Sequence, residues 1–265
     1  MPFQESTTGV DVHPTALIDP AAELGEGVSV GPFSIIGPGV TIGAGTRIAS
    51  GVLIERDTAV GTDCVISHGA VLGTPPQDLK YRDEPTRLEI GDRTTIREYA
   101  TLNRGTTASG VTRVGSDCLL MSYVHVAHDC HLGDHVIISN AVNMAGHVTI
   151  HDWVSIGGMT PIHQFVRIGA HAFIGGASRV AKDIPPYVKA AGSPIQLYGL
   201  NSVGLQRRGF PEDVRRELKR AYRLFFASAH NTTQALARAR EELRAIPEVE
   251  VFLSFFEGTE RGVSL

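Results

Sequence analysis

An aliphatic residue returns at every sixth position through most of this chain. With that residue as position 1, the sequence reads LGEGVS from Leu24, VGPFSI from Val30, IGPGVT from Ile36 and IGAGTR from Ile42, and stays in frame through ISHGAV from Ile66. It resumes as IGDRTT from Ile90, IREYAT from Ile96 and LNRGTT from Leu102, then from Val114 through IGGASR at Ile174. Position 2 is often glycine, and position 5 is small or β-branched: Val, Ser, Thr, Ala or Cys. A repeat this short makes one strand and one corner. Parallel strands stacked about 4.8 Å apart bury a continuous ladder of position 1 side chains, with position 5 also facing inward and glycine easing the corner.

The repeat resembles that of the hexapeptide-repeat transferase family, which implies three hexads per coil and a triangular prism, a left-handed parallel β-helix. The handedness comes from the resemblance and runs against the usual crossover rule. Two interruptions, at 78–89 and 108–113, are multiples of six and preserve the frame, which predicts two loops extruded from a corner, where binding residues tend to sit. The hexads give out near Ile184 at Pro185-Pro186. Beyond Gly192 and Pro194 the pattern turns helical, with Pro211 at a first helical position and Val214, Leu218, Tyr222 and Phe225 on one face. A second helix is predicted from Asn231 or Thr232 to Ala245. The expected organisation is a β-helix over 1–190 and an α-helical domain over 191–265.

A hydrophobic share of 42% is ample for a core. A basic start followed by an apolar run is missing, as is any stretch of about 18 apolar residues, so a cytoplasmic protein without a membrane span is expected. The three cysteines, Cys64, Cys118 and Cys130, form no CxxC pair and suggest neither a disulfide framework nor a zinc knuckle. The net charge of -4 argues against bulk nucleic-acid binding, but the charge is uneven. Between Arg207 and Arg223 seven cations face three anions, a local +4 that leaves -8 for the rest.

With 18 residues per coil, His128 stacks beneath Gly146 and Gly146 beneath Gln164. His147 and His163 lie on the same edge one coil apart, and His125 just precedes His128 on its own coil. All occupy outward-facing positions. One histidine on a polar corner is normally a solvated side chain; several along one edge point to a groove. Neutral imidazole can take a proton from a hydroxyl at physiological pH, which makes His128 the candidate base. Gly146 offers an unobstructed backbone amide to an oxyanion, and Asp129 is placed to orient the imidazole. Cys130, two residues from His128, sits at position 5 with Cys118 and Cys64 and is expected inside the core, so direct transfer without an acyl-enzyme is favoured.

The segments QDLKY (77–81), EPTRLEIGD (84–92), AHDC (127–130), AGHV (145–148), GGMT (157–160), HQF (163–165), DIPPYV (183–188) and RRGF (207–210) resemble the UDP-N-acetylglucosamine acyltransferase family over nearly the whole chain. The resemblance implies transfer of a (3R)-3-hydroxyacyl group from acyl carrier protein to the 3-hydroxyl of UDP-N-acetylglucosamine, the first step of lipid A synthesis, by a homotrimer with no cofactor and no metal of its own. It implies His128 as general base and Gly146 as oxyanion donor. His147, His163 and Gln164 would contact the nucleotide sugar or acyl chain, with His125 beside them. Asp78 and Lys80 would hold substrate in a cleft completed by a neighbouring subunit, Asn201 and Arg208 the nucleotide, and Gly176 would set acyl length. Acyl carrier proteins are acidic, so Arg207, Arg215, Arg216, Lys219 and Arg220 form a candidate docking surface.

Two departures stand out. The family often has TIHRGT where this chain has TLNRGT, with Asn103 for histidine, and SPIQLYG after Gly192 lacks a histidine found in some members; a 3-amino acceptor, giving an amide, therefore stays open. A related N-acyltransferase carries an extra N-terminal uridine-binding domain, whereas the repeat here begins by about Val12. A zinc carbonic anhydrase on the same prism would use histidines such as His125, His128, His131 and His147. A purely structural β-helix would respond to no sugar nucleotide.

Overall fold

The computed structural model describes residues 9–259 and 262–264, so the first eight residues of the predicted β-helix lie outside the described residues. Each hexad contributes a strand, most of them two residues long, made of position 6 and the next position 1: Ser29–Val30, Ile35–Ile36 and Thr41–Ile42 are successive examples. The strands stack into three sheets of 11, 8 and 8 strands, which form the three faces of a prism. The first face begins with Asp11–Val12, the second with Leu17–Ile18 and the third with Glu23–Leu24. Register shows the coil length directly. Ser29 pairs with Arg47, 18 residues on; Val65 pairs with Thr95, 30 on; and Thr95 pairs with Leu119, 24 on. The two longer steps are the two extruded loops.

Both loops lie a few residues earlier than the frame placed them. Arg87–Ile90 is a strand of the third face paired with Thr58 to Val60, so the first loop is 75–86 rather than 78–89. Val111–Val114 is likewise a strand, which puts the second at 104–110 rather than 108–113. A six-residue frame is unchanged when an insertion of six or twelve slides along it; periodicity therefore gives an insertion's length and not its position.

Positions 1 and 5 build the core as expected: Ile36, Ile54, Ile66 and Leu120 from one, Val28, Val40, Cys64 and Cys130 from the other, are all essentially inaccessible. Burying each large aliphatic side chain stabilises the fold by roughly 1.5–3 kcal/mol relative to leaving it exposed. The corner is made differently from the sequence expectation. Position 4 adopts positive φ in hexad after hexad, at Gly27, Asp57, Tyr99, Asp129, His147 and His171 among others. The position 2 glycines instead permit close approach between coils: a Cβ on Gly37 would overlap the carbonyl oxygen of Glu55 on the next coil. Because the obstacle is backbone, Gly37→Ala should destabilise the prism by about 1–3 kcal/mol and lower its thermal midpoint. An unchanged midpoint would mean that neighbouring coils can part locally.

Strand structure continues to Leu200, past the expected boundary at 190. Val188–Ala191 adds in parallel to the first face, and Gln196–Leu200 folds back antiparallel to it. Among the described residues four helices follow: α1 (Ser202–Arg207), α2 (Glu212–Phe226), α3 (Thr232–Glu242) and α4 (Pro247–Glu257). Pro211 is the N-cap of α2 rather than its first residue, and α3 starts behind an Asn231–Gln234 capping box but stops at Glu242, short of Ala245. The sequence pattern missed α1, which is under two turns long, and α4, whose VEVFLSFF run reads as readily as a buried strand. Leu205, Leu218, Val249, Phe252 and Phe256 form a second core, closed against the prism by Tyr187. Among the described residues no helix is long and apolar enough to cross a membrane.

Candidate active site

The edge joining the second and third faces carries the chemistry. On it the corner 127–130 follows strand His125–Val126 and precedes His131–Leu132, and both extruded loops leave the same edge, 104–110 from the coil below and 75–86 from the coil below that. The predicted histidine edge is therefore flanked by the only two insertions among the described coils.

His128 Nδ1 lies 2.8 Å from Asp129 Oδ2. Asp129 is buried, with φ of 58°, and its carboxylate receives the backbone N–H of Thr106 at 3.0 Å, the Thr106 hydroxyl at 2.7 Å, the Ser109 hydroxyl at 2.5 Å and the Ser109 N–H at 3.3 Å. Burial would raise its pKa, but the hydrogen bonds from Ser109, His128 and Thr106 outweigh this and hold it down at about 2. An ionised carboxylate only accepts, so Nδ1 of His128 carries a proton, and in the neutral ring the lone pair is on Nε2.

The Cε1–Nε2 side of the ring lies against Gly146. A Cβ on Gly146 would stand 2.8 Å from Nε2 and 2.5 Å from Cε1, so only glycine leaves room for the ring. The Gly146 amide meets no acceptor among the described residues. Some equivalent position 3 amides are occupied, as where Ser116 N–H goes to Asp134 Oδ1 at 2.7 Å and Asp134 N–H to Asp152 Oδ1 at 2.9 Å, and others, such as those of Ser50 and Glu98, are open like that of Gly146; what sets Gly146 apart is the imidazole against it. A lone-pair base and an open amide thus stand side by side, the pairing needed to accept a proton and to receive a developing oxyanion.

His147 packs edge-on to the His128 ring at 5.1 Å and stacks on Phe165 at 4.5 Å. Its Nδ1 is 3.8 Å from Asp129 Oδ2, too far for the bond that His128 makes. Burial lowers its pKa, with the charges of Asp129 and Asp78 pulling the other way and His128 adding to the depression. His125 sits on the strand before the corner, its Nδ1 2.7 Å from Thr101 Oγ1; burial and then His128 lower its pKa. His163 and Gln164 are exposed one coil above Gly146 on the same edge. Asp78 and Lys80 belong to the loop 75–86, where Asp78 Oδ1 accepts the Lys80 N–H at 2.9 Å.

The remaining predicted residues lie elsewhere on the chain. Gly176 is on the edge between the first and second faces. Asn201, Arg207 and Arg208 line a groove of about 660 Å³ on the first face, with Phe173, Lys189 and Tyr198. There Arg208 Nη1 is 3.3 Å from His171 Nδ1, its guanidinium lies 5.2 Å over the Trp153 ring, and Asn201 Nδ2 donates to the His171 carbonyl at 3.0 Å. Burial, followed by the Arg208 charge, pushes the His171 pKa down to about 4, which keeps it a neutral acceptor for that arginine. Of the predicted docking cations, Arg220 is committed to Glu217 at 2.9 Å and Arg215 donates to the Phe210 carbonyl at 3.1 Å. Arg216 and Lys219 are exposed and meet no carboxylate among the described residues.

Asn103, flagged as a departure, is buried, with its amide nitrogen 2.8 Å from Thr74 Oγ1 beneath the first loop. Beside it Arg104 is fully buried and donates to the Gly73 carbonyl and, at 3.2 Å, to the Tyr81 hydroxyl. Arg104, Thr106, Ser109 and His171 went unnoticed in the sequence. The cysteines lie in the core, where burial raises the thiols to about 12 for Cys130 and about 11 for Cys118, which denies them thiolate chemistry near neutrality. One ligand atom each from His128, Asp129 and His147 falls within 4.8 Å of the others. The donor set nonetheless fits a hydrogen-bonded pair better than a metal centre, because both Asp129 oxygens are already taken by His128 and the loop 104–110.

Comparison with known proteins agrees over nearly the whole chain. Residues 183–264 match the family described as Udp N-acetylglucosamine O-acyltransferase, domain 2, and residues 21–56 and 112–145 match the bacterial transferase hexapeptide. A relative from Chlorobaculum tepidum named acyl-[acyl-carrier-protein]–UDP-N-acetylglucosamine O-acyltransferase is 62% identical over 247 residues, 93% of this chain and 94% of its own. One of the same name from Thiobacillus denitrificans is 45% identical over 95% of this chain and 98% of its own. The solved LpxA structure from Acinetobacter baumannii superposes with a TM-score of 0.94 at 43% identity, covering 96% of this chain and 99% of that one. A UDP-N-acetylglucosamine acyltransferase from Bacteroides fragilis gives 0.94 at 42%, with the same coverage. The coil is accordingly a left-handed parallel β-helix with a helical C-terminal part.

Proposed function

Because this chain belongs to the UDP-N-acetylglucosamine O-acyltransferase family and is an acyltransferase, we propose that it moves a (3R)-3-hydroxyacyl group from acyl carrier protein to the 3-hydroxyl of UDP-N-acetylglucosamine, the first step of lipid A synthesis. The observation that carries this reading is the His128–Asp129 pair set against the open amide of Gly146.

The chemistry follows from the geometry. Nε2 of His128 removes the proton of the sugar hydroxyl as its oxygen bonds to the thioester carbonyl carbon. The carbonyl oxygen becomes an oxyanion, for which the Gly146 N–H is the proposed donor. As the tetrahedral intermediate collapses, the C–S bond breaks and the imidazolium returns its proton to the departing thiolate. Asp129 keeps the Nδ1 proton in place and stabilises the transient imidazolium. The acyl group arrives already activated as a thioester, so this reading requires no resident cofactor.

The candidate subsites support assembly from more than one copy. His128, His147 and the loop bearing Asp78 and Lys80 share one edge, whereas Asn201 and Arg208 are on the first face and Gly176 on another edge. A closed ring of three prisms would bring the edge of one copy to the face of the next, with Arg208 available to a phosphate and Gly176 to the acyl tail. The acyl carrier would dock on the exposed cations of α2, in the cytoplasm.

The test is transfer from 3-hydroxyacyl carrier protein to UDP-N-acetylglucosamine, alongside the 3-amino analogue. Product from the hydroxyl substrate supports the reading; product from the analogue alone would keep the mechanism and change the acceptor; none from either would overturn it. Reversing two free cations, Arg216→Glu with Lys219→Glu, should raise KM for the acyl carrier about tenfold at low salt, with the difference shrinking as salt is added. An unaltered KM would remove α2 from the docking surface.

A further inference from the structure

The hexad scaffold does not by itself explain why Asp129 is buried. It sits at position 4, and aspartates at the same position elsewhere stay partly exposed and pair with arginines, with side-chain exposures of 44% for Asp57 and 31% for Asp117 against 1% for Asp129. What covers Asp129 is the loop 104–110. Its Thr106 N–H, Ser109 N–H and Ser109 hydroxyl converge on Oδ1, and its Thr106 hydroxyl shares Oδ2 with His128 Nδ1. The loop is itself closed by a 2.7 Å bond from Gly110 N–H to the Thr106 carbonyl and by Ala108 N–H to the Thr106 hydroxyl at 3.2 Å.

We propose that Thr106 and Ser109 are positioning residues of the transfer reaction: by filling the acceptor sites of Asp129 they fix its carboxylate plane, and through it the tautomer and the aim of the His128 ring. The inference rests on the reading of His128 as the base. Five donors leave the carboxylate no equivalent orientation to rotate into, so Oδ2 stays on Nδ1 while the Cε1–Nε2 side of the ring stays against Gly146. Without the two hydroxyls, Asp129 would resemble Asp57, turned partly to water, and His128 would sample both tautomers and more than one ring orientation. The six-residue extrusion is in this view part of the catalytic apparatus, although none of its side chains need touch a substrate.

The experiment compares the full-length protein with the double variant Thr106→Val/Ser109→Ala, which keeps size and both backbone amides. Steady-state kinetics are read together with the histidine tautomers by nitrogen-15 NMR. The expected result is a fall in kcat of about tenfold or more, KM for UDP-N-acetylglucosamine changed less than about twofold, and loss of the single Nδ1–H tautomer at His128. Thr106→Ser, placed in the Ser109→Ala background, should recover most of the rate lost by the double variant. Wild-type kcat with an unchanged tautomer overturns the proposal, as does a kcat loss that Ser at position 106 cannot recover, which marks a structural role. Should His128→Ala prove as active as wild type, the reading of the base fails, and the tautomer signal still reports separately whether the loop holds the ring.

Discussion

Replacement of His128 by alanine should reduce kcat for acyl transfer by about 10²–10⁴-fold while leaving the protein folded, because positioned general-base catalysis contributes on that scale. The fold should tolerate the change: the side chain lies on an edge of the prism, outside the ladder of position 1 and position 5 residues that forms the core. Three histidines compete for the role, and geometry separates them. His128 is 2.8 Å from a buried carboxylate, His147 is 3.8 Å from the same oxygen, and His125 is bonded to a threonine hydroxyl. Only the first has a tautomer fixed by an ionised partner. His147→Ala and His125→Ala should therefore cost less in kcat than His128→Ala and show more of their effect in KM. The check is single-turnover transfer from the acyl carrier, with circular dichroism and thermal midpoint for each variant. A folded His128→Ala protein within about tenfold of wild type would remove this residue as the base, and a larger loss at His147 would transfer the role there.

The reasons the sequence revealed this pair and missed its supports are geometric. Above the second loop the coils have 18 residues until the last, which has 16, so counting in steps of 18 puts Gly146 over His128 and Gln164 over Gly146 correctly. Across that loop the step is 24. Counting back 18 from Asp129 reaches Val111, whereas the residues that bind its carboxylate are Thr106 and Ser109, 23 and 20 back. The insertion's length was readable in the frame, but its position was not, and its turn chemistry decides where two small hydroxyls point. Arg104 escaped for a similar reason: a charged residue beside a loop reads as solvated, and only the folded first loop buries it. Asn201 and Arg208 line the first face and Gly176 another edge, so within one chain no count brings them to His128. The position 2 glycines show the same limit in the fold, since a pattern of glycine does not say whether it answers a positive φ or a neighbouring backbone.

Gly146→Ala should be nearly as damaging as loss of the histidine, through two effects that can be separated. The added methyl would stand 2.5 Å from Cε1 and 2.8 Å from Nε2 of His128, so the ring must swing away and surrender its bond to Asp129. It would also crowd the approach to the Gly146 amide, and loss of one oxyanion donor typically costs about 10²–10³-fold in kcat. Backbone strain is not the cause, because Gly146 is absent from the positive-φ glycines. If displacement of the ring dominates, His128→Ala/Gly146→Ala should be no slower than His128→Ala alone, since the base is already gone and the methyl finds space where the ring was. If crowding of the amide dominates, the double variant should lose a further factor on top of the histidine loss. A Gly146→Ala protein with wild-type kcat would refute both, and would mean that the ring can move aside and still reach the acceptor hydroxyl.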